Sequence, residues 1–263
     1  MLDELKALEN SHQWASLTIN GHDWRWIDTE GTGPVIVLLP GSVGDAGMFA
    51  LTVRTLEQKA RVLAITYPSL SDPHLLSDGL IKVLDHVKVT DAIIVGSSFA
   101  AYWAQFIALR YPGRVKHLVI GNGFVDGTDL TENPLFDPDY VENVTPDALH
   151  QKWLQRIETA PVSDLQQLQT QMLKHRQTPE NLHARFLGVV RAKPCPNLPL
   201  EGSKVTILDC ADDPLIPLKV RERLRNNYPQ AHHITLRTGG HYPHLLNPNE
   251  YSSILTTILK SNY

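Results

Sequence analysis

The stretch Ala92-Ile93-Ile94-Val95-Gly96-Ser97-Ser98-Phe99-Ala100-Ala101 constrains the fold more than any other part of the chain. Its apolar run is the pattern of a strand covered on both faces; a sharp turn follows, then a helix beginning near Ala101. Gly96 and Ala100 stand two residues either side of Ser98, where strand and helix come into near contact and leave little room for larger side chains. Such a turn, a nucleophile elbow, projects Ser98 Oγ above the sheet. A G-x-S-x-[GA] pattern arises by chance about 0.2 times in a chain this long, so its weight comes from its place between a buried strand and a helix.

Short β-rich runs bounded by turn residues recur at Ala15 to Ile19, Trp24 to Ile27, Val35 to Leu39, Val62 to Thr66, Ala92 to Gly96, His117 to Ile120, Val205 to Leu208 and His233 to Leu236. The first two alternate in polarity and meet at Asn20-Gly21, which predicts an antiparallel hairpin at an edge. Val35 to Leu39, Ala92 to Val95 and Val205 to Leu208 are continuously apolar. Helical patterns lie between them, which predicts right-handed crossovers in a mostly parallel, eight-stranded sheet flanked by helices. Leu76, Leu80, Val83, Leu84 and Val87 recur at helical spacing after a possible cap at Ser77, and Tyr102, Phe106 and Leu109 do so before Pro112-Gly113.

From about Val125 to Pro196 no strand is visible. Thr145-Pro146-Asp147 and Thr178-Pro179-Glu180 each place a capping Thr, a Pro at the first helical position and an acid in the first turn. Leu149, Trp153 and Ile157 share one helix face, Leu165, Leu168 and Met172 a second, and Leu182, Phe186 and Val189 a third. The expected organisation is a core of residues 1–124 and 197–263 with a helical cap, 125–196, inserted after the sixth strand.

Composition narrows the function. With 263 residues, 42% hydrophobic and 20% charged, the chain can bury a large core and is neither fibrous nor disordered. Lys+Arg 24 against Asp+Glu 28, with no basic run, leaves no electrostatic footprint for a nucleic acid. The longest apolar runs are about five residues, far short of the ~20 that cross a bilayer. The opening MLDELKALE has no apolar signal region, and the two cysteines, Cys195 and Cys210, cannot build a disulfide framework, so a cytoplasmic protein in a reducing compartment is expected.

A serine hydroxyl needs an imidazole to take its proton, and the imidazole needs an acid to fix its tautomer and stabilise its charge. After the seventh strand comes Asp209-Cys210-Ala211-Asp212-Asp213-Pro214, where Asp213 is the preferred acid and Asp212, Asp209 and Asp126 are alternatives. After the eighth comes Thr238-Gly239-Gly240-His241, where the glycine pair lets the loop turn back toward the strand tips and makes His241 the expected base. The order Ser, acid, His, each after a strand, singles His241 out of 12 histidines. His241 and His244 stand at a metal-ligand spacing, but no companion carboxylate motif supports a metal, and no cofactor is expected. Oxyanion donors are expected from the backbone amides of Phe99 and of Ser42, with Val43 one residue on, in Leu39-Pro40-Gly41-Ser42-Val43-Gly44. That loop lacks the spacing of a nucleotide-binding loop. Met48, Phe49, Phe124, Trp153, Met172, Phe186 and Leu187 are candidates to line an apolar acyl pocket.

These residues resemble the α/β-hydrolase superfamily from about Trp14 to the C-terminus, and within it the maspardin-like branch. The branch resemblance lies in Leu38-Leu39-Pro40-Gly41-Ser42, in Ala64-Ile65-Thr66-Tyr67-Pro68 with Ser77-Asp78-Gly79 and Leu84-Asp85-His86, and in Leu236-Arg237-Thr238-Gly239-Gly240 before Pro243. The resemblance implies an α/β-hydrolase fold and a triad of Ser98, Asp213 and His241 with the Ser42 and Phe99 amides as oxyanion hole. It further implies a serine esterase acting on a small-molecule carboxylic ester, lactone or thioester, since dehalogenase and epoxide hydrolase relatives carry an aspartate at the elbow. Maspardin-like proteins thought to act as adaptors with an incomplete triad imply the alternative, a non-catalytic module with a protein partner.

Overall fold

The computed structural model describes residues 1–262; Tyr263, the last residue of the expected core segment, lies outside them. Eight strands form one sheet: β1 Trp14–Ile19, β2 His22–Asp28, β3 Val35–Leu39, β4 Arg61–Thr66, β5 Ala92–Ser97, β6 Val115–Gly121, β7 Val205–Cys210 and β8 His232–Leu236. Each contains or nearly matches a run predicted from sequence. Their order is β1-β2-β4-β3-β5-β6-β7-β8. β1 pairs antiparallel with β2 and β2 with β4, while every pair from β4 to β8 is parallel. The expected hairpin turns at Asn20 and Gly21, both with positive φ (51° and 79°), which is the twist that joins two strands with two residues.

Helices cover both faces. Leu2–Ser11 (α1), Ala50–Leu56 (α2), Pro73–His86 (α3) and Phe99–Arg110 (α4) precede β6. Pro138–Asn143 (α5), Pro146–Glu158 (α6), Asp164–His175 (α7) and Pro179–Val190 (α8) fill the connection from β6 to β7. Leu218–Asn227 (α9), Pro243–Leu246 (α10) and Pro248–Asn262 (α11) complete the chain. One core joins α3, α4 and the α5–α8 segment to one face of the sheet through residues such as Trp24, Val37, Ile94, Trp103 and Phe186. A second joins α2 and α11 to the other face through Ile36, Leu38, Phe49, Val53, Ile93, Tyr251 and Leu255. Among the described residues no helix is long and apolar enough to cross a membrane.

The helix starts follow their capping chemistry. Thr145 accepts from the Ala148 amide and Thr178 from the Asn181 amide, each with Pro as the first helical residue. Ser77 does not cap α3: the cap is Asp72, which accepts from the His74 amide ahead of Pro73, and Ser77 lies a turn inside, donating to Pro73 O. α4 starts at Phe99, directly after Ser98, rather than near Ala101. The parallel strands fan out in opposite chain directions from β3 and β5, so the loops leaving their carboxyl ends diverge and open a crevice, the usual place for a site in such sheets.

Candidate active site

Ser98 sits between β5 and α4 with φ 54° and ψ −118°, a conformation that L side chains rarely adopt. Its amide donates to Gly121 O of β6 at 2.8 Å, and its carbonyl accepts from Tyr102 in α4 at 3.2 Å, so the strained residue is held from both sides. The closeness inferred from the small residues is measurable: a Cβ added to Gly96 would stand 2.5 Å from Ala100 O. Gly41, from the loop after β3, approaches the same serine; a Cβ there would stand 3.0 Å from Ser98 Cβ.

His241 and Asp213 arrive from the loops after β8 and β7. Gly239 and Gly240 both have positive φ, 143° and 52°, and bring the loop back over the sheet. His241 Nδ1 lies 2.9 Å from Asp213 Oδ2, and His241 Nε2 lies 2.9 Å from Ser98 Oγ. A carboxylate only accepts, so Nδ1 carries the ring proton and Nε2 is left to accept from the Ser98 hydroxyl. Asp213 is buried and also accepts from the Leu215 and Ile216 amides and from Asn122 Nδ2 at 2.7 Å. Burial pushes its carboxyl upward. The charge of His241 and the hydrogen bonds from His241, Asn122 and Leu215 outweigh this and hold it below the ordinary carboxylate range.

The other candidate acids are engaged elsewhere. Asp212 accepts from the Gly239 and Gly240 amides and so braces the histidine loop. Asp209 faces Arg225 and Arg221, and Asp126 caps the 3-10 turn at Gly127–Leu130 and faces Arg223. His244 turns away from the His241 pair and is buried against Phe49, Tyr242 and Tyr251. Among the described residues no group of three or more His, Cys, Asp or Glu side chains is arranged to hold a metal.

Ser98 and His241 face a cavity of about 20 Å³, lined also by Gly41, Ser42, Phe136, Trp153, Phe186 and Leu215. That is space for about one water molecule. Phe99 follows Ser98 as the first residue of α4, so its amide has no carbonyl to bond within the helix. Trp153 and Phe186, 4.9 Å between ring centroids, form the apolar wall from α6 and α8.

Met48, Phe49 and Phe124 are not part of that wall. Met48 is buried in a separate cluster with Leu5, Leu168, Met172 and Leu245, which also removes Met172. Phe49 packs under the sheet in the second core, and Phe124 stacks flat on Tyr102 of α4, 5.4 Å away. Leu187 packs against the first core. Spacing alone does not separate aromatic residues that fill a core from those that face a cavity. Two residues near the serine escaped the sequence reading. Asn122, with φ 47°, binds Asp213 and Gly240 O. Its signal was the Asn-Gly pair after β6. Phe136, on a 3-10 turn at Pro134–Phe136, stacks on Phe186.

The alpha/beta hydrolase family matches residues 36–253. The chain belongs to this family. As a hydrolase-family chain it is 28% identical to maspardin of Danio rerio over 222 residues, 80% of this chain and 69% of that protein. It is 23% identical to a "Putative carbamate hydrolase RutD" of Enterobacter cloacae over 251 residues, 87% of this chain and 92% of that one. Among solved structures, a thermophilic esterase from Thermogutta terrifontis superposes with a TM-score of 0.76 at 19% identity, covering 95% of this chain and 99% of that one. Family membership, the fold and the resemblance to maspardin thus agree with the expectations from sequence.

Proposed function

We propose that this alpha/beta hydrolase family member is a serine hydrolase cleaving a carboxylic ester, lactone or thioester of a small, largely apolar substrate. The observation that carries the reading is the unbroken relay from Ser98 Oγ to His241 Nε2 at 2.9 Å and from His241 Nδ1 to Asp213 Oδ2 at 2.9 Å. Ser98 attacks the acyl carbon as His241 takes its proton, and Asp213 stabilises the imidazolium that forms. The amides of Ser42 and Phe99 receive the developing oxyanion. His241 returns the proton to the leaving alkoxide or thiolate, then takes one from a water that attacks the acyl-Ser98 carbonyl, releasing acid and free serine. Residues 125–196 act as a cap over 1–124 and 197–262, with Trp153 and Phe186 against the acyl group. Membership of the alpha/beta hydrolase family and the likeness to a protein named "Putative carbamate hydrolase RutD" support hydrolysis as the class of reaction.

The test is labelling by a fluorophosphonate and turnover of short p-nitrophenyl esters by the parent, both lost in Ser98→Ala and His241→Ala. A parent that neither labels nor turns over would remove the enzymatic reading. It would favour a second one, a non-catalytic module with a protein partner, to which the small size of the cavity and the maspardin relatives give support.

A further inference from the structure

Arg185, in the middle of α8, is completely buried and has no ion-pair partner among the described residues. The nearby carboxylate Asp45 is paired with Arg176 at 2.8 Å. Instead, the Arg185 guanidinium lies 3.9 Å over the Tyr67 ring and donates through Nη1 to Gly41 O at 2.8 Å and Gly44 O at 2.7 Å, and through Nη2 to Tyr67 O at 3.3 Å. A buried charge left to backbone carbonyls is costly, and Arg185 places its donors on the loop that follows β3.

Two more side chains from the same stretch reach the same place. Gln177, also buried, donates to Ser42 O at 2.7 Å and accepts from the Gly44 amide at 2.8 Å. Asn181 links Gln177 to Tyr67 O, and the Tyr67 hydroxyl donates to Pro40 O and Gly41 O. Asn181 and Arg185 lie one turn apart in α8, and Gln177, just before the Thr178 cap, bonds Asn181 at 3.0 Å, so these polar groups form one row. They hold the carbonyls of Gly41, Ser42 and Gly44 and the amide of Gly44, leaving the amides of Ser42 and Val43 out of the network.

The Gly41–Ser42 peptide bond is trans, and in a trans peptide the C=O and the following N–H point in opposite directions. Fixing Gly41 O between Arg185 and Tyr67 therefore turns the Ser42 N–H away from the guanidinium. The unneutralised charge at the carbonyl end of that peptide polarises it and strengthens its N–H as a donor. We propose that Arg185, aided by Gln177, is a positioning residue that aims and polarises the Ser42 amide at the oxyanion. This role rests on the serine hydrolase reading above.

The experiment uses the full chain with Arg185→Met, Arg185→Lys and Gln177→Leu, and reads two quantities. Hydrogen exchange at the backbone amides of residues 41–44 is expected to quicken about tenfold in Arg185→Met and Gln177→Leu, since local opening sets exchange. On p-nitrophenyl acetate, kcat is expected to fall about 10- to 100-fold, up to the range for loss of one oxyanion donor, with KM changed less than about threefold and the acid limb of the pH profile unmoved. Arg185→Lys keeps the charge without the planar fork and restores part of the rate. Unchanged exchange in residues 41–44, or a raised KM with kcat intact, would overturn the assignment. If Arg185→Met does not fold, Gln177→Leu decides. A parent without turnover sinks the hydrolase reading, and the catalytic role of the row with it, whatever the exchange; a parent that turns over while exchange stays unchanged sinks the positioning role alone.

Discussion

Asn122 donates from Nδ2 to Asp213 Oδ2 across 2.7 Å, from a backbone that turns left-handed at φ 47°. Asn122→Gly keeps the turn, which glycine adopts freely, and removes only the side chain. A hydrogen bond to a charged group contributes about 1.5–3 kcal/mol, so a lower melting temperature and a kcat reduced about tenfold are expected. Because Asp213 is held below its ordinary range, its stabilisation is present above the unfolded carboxylate value and is lost as pH falls through the folded one. The gap between parent and variant should therefore narrow in acid. Equal melting curves and rates at pH 7 would show the bond to be idle.

Ser98 stores strain that its hydroxyl requires. At φ 54° and ψ −118° a glycine is comfortable and a residue with a Cβ is not. Strain of this kind costs about 1–3 kcal/mol, so Ser98→Gly should melt a few degrees above the parent while losing all turnover. Ser98→Ala keeps the Cβ and should gain less. Scanning calorimetry of the three proteins checks the order; a Gly variant less stable than the Ala variant would contradict it.

Two buried histidines add to the loss of stability in acid. Burial, followed by the charge of His241, lowers His244 to about 3, and burial, followed by His232, lowers His117 to about 4 despite Asn262. Both are neutral when folded, yet both take a proton in the unfolded chain below the ordinary imidazole value of about 6.5. The unfolded state then binds more protons, so stability rises with pH across this window and falls as pH drops from about 6.5 toward 4 and 3. His244→Phe, packed between Phe49 and Tyr251, removes one titration and should flatten the decline in melting temperature between pH 6.5 and 4. A decline parallel to the parent's would place its origin elsewhere.

On the proposed hydrolase reading, the wall above Ser98 sets what fits. With room for about one water beside Trp153 and Phe186, the parent should prefer acetate to longer acyl groups. Trp153→Leu opens space from α6 and is expected to raise kcat/KM for p-nitrophenyl hexanoate relative to acetate by about tenfold, the scale of a few buried methylenes. Steady-state kinetics on the two esters tests it, and an unchanged ratio would mean that the acyl group lies elsewhere.

The parts of this molecule that were legible in the sequence are those with a local cause. Apolar runs marked the strands, because β3, β5 and β7 are covered on both faces. The Thr-Pro pairs marked the starts of α6 and α8. The order of Ser98, Asp213 and His241 was readable because each follows a strand whose carboxyl end points the same way. α1 was passed over although Leu5 and Leu8 share its buried face, since charge dominates the segment. Arg185 and Gln177 were invisible for a different reason: a polar residue inside a helix pattern looks solvated until its distant carbonyls are known. Met48, Phe49 and Phe124 erred in the opposite direction, since an apolar side chain carries no mark of which void it fills.

The row from Gln177 to Arg185 is joined to the loop after β3 through four hydrogen bonds and to Tyr67 O, just after β4, through two more. The segment between β6 and β7 is therefore not an interchangeable roof. On the proposed hydrolase reading, grafting it from a relative that lacks these polar side chains would alter how fast the protein reacts along with what it accepts, so that selectivity and speed would be inherited together.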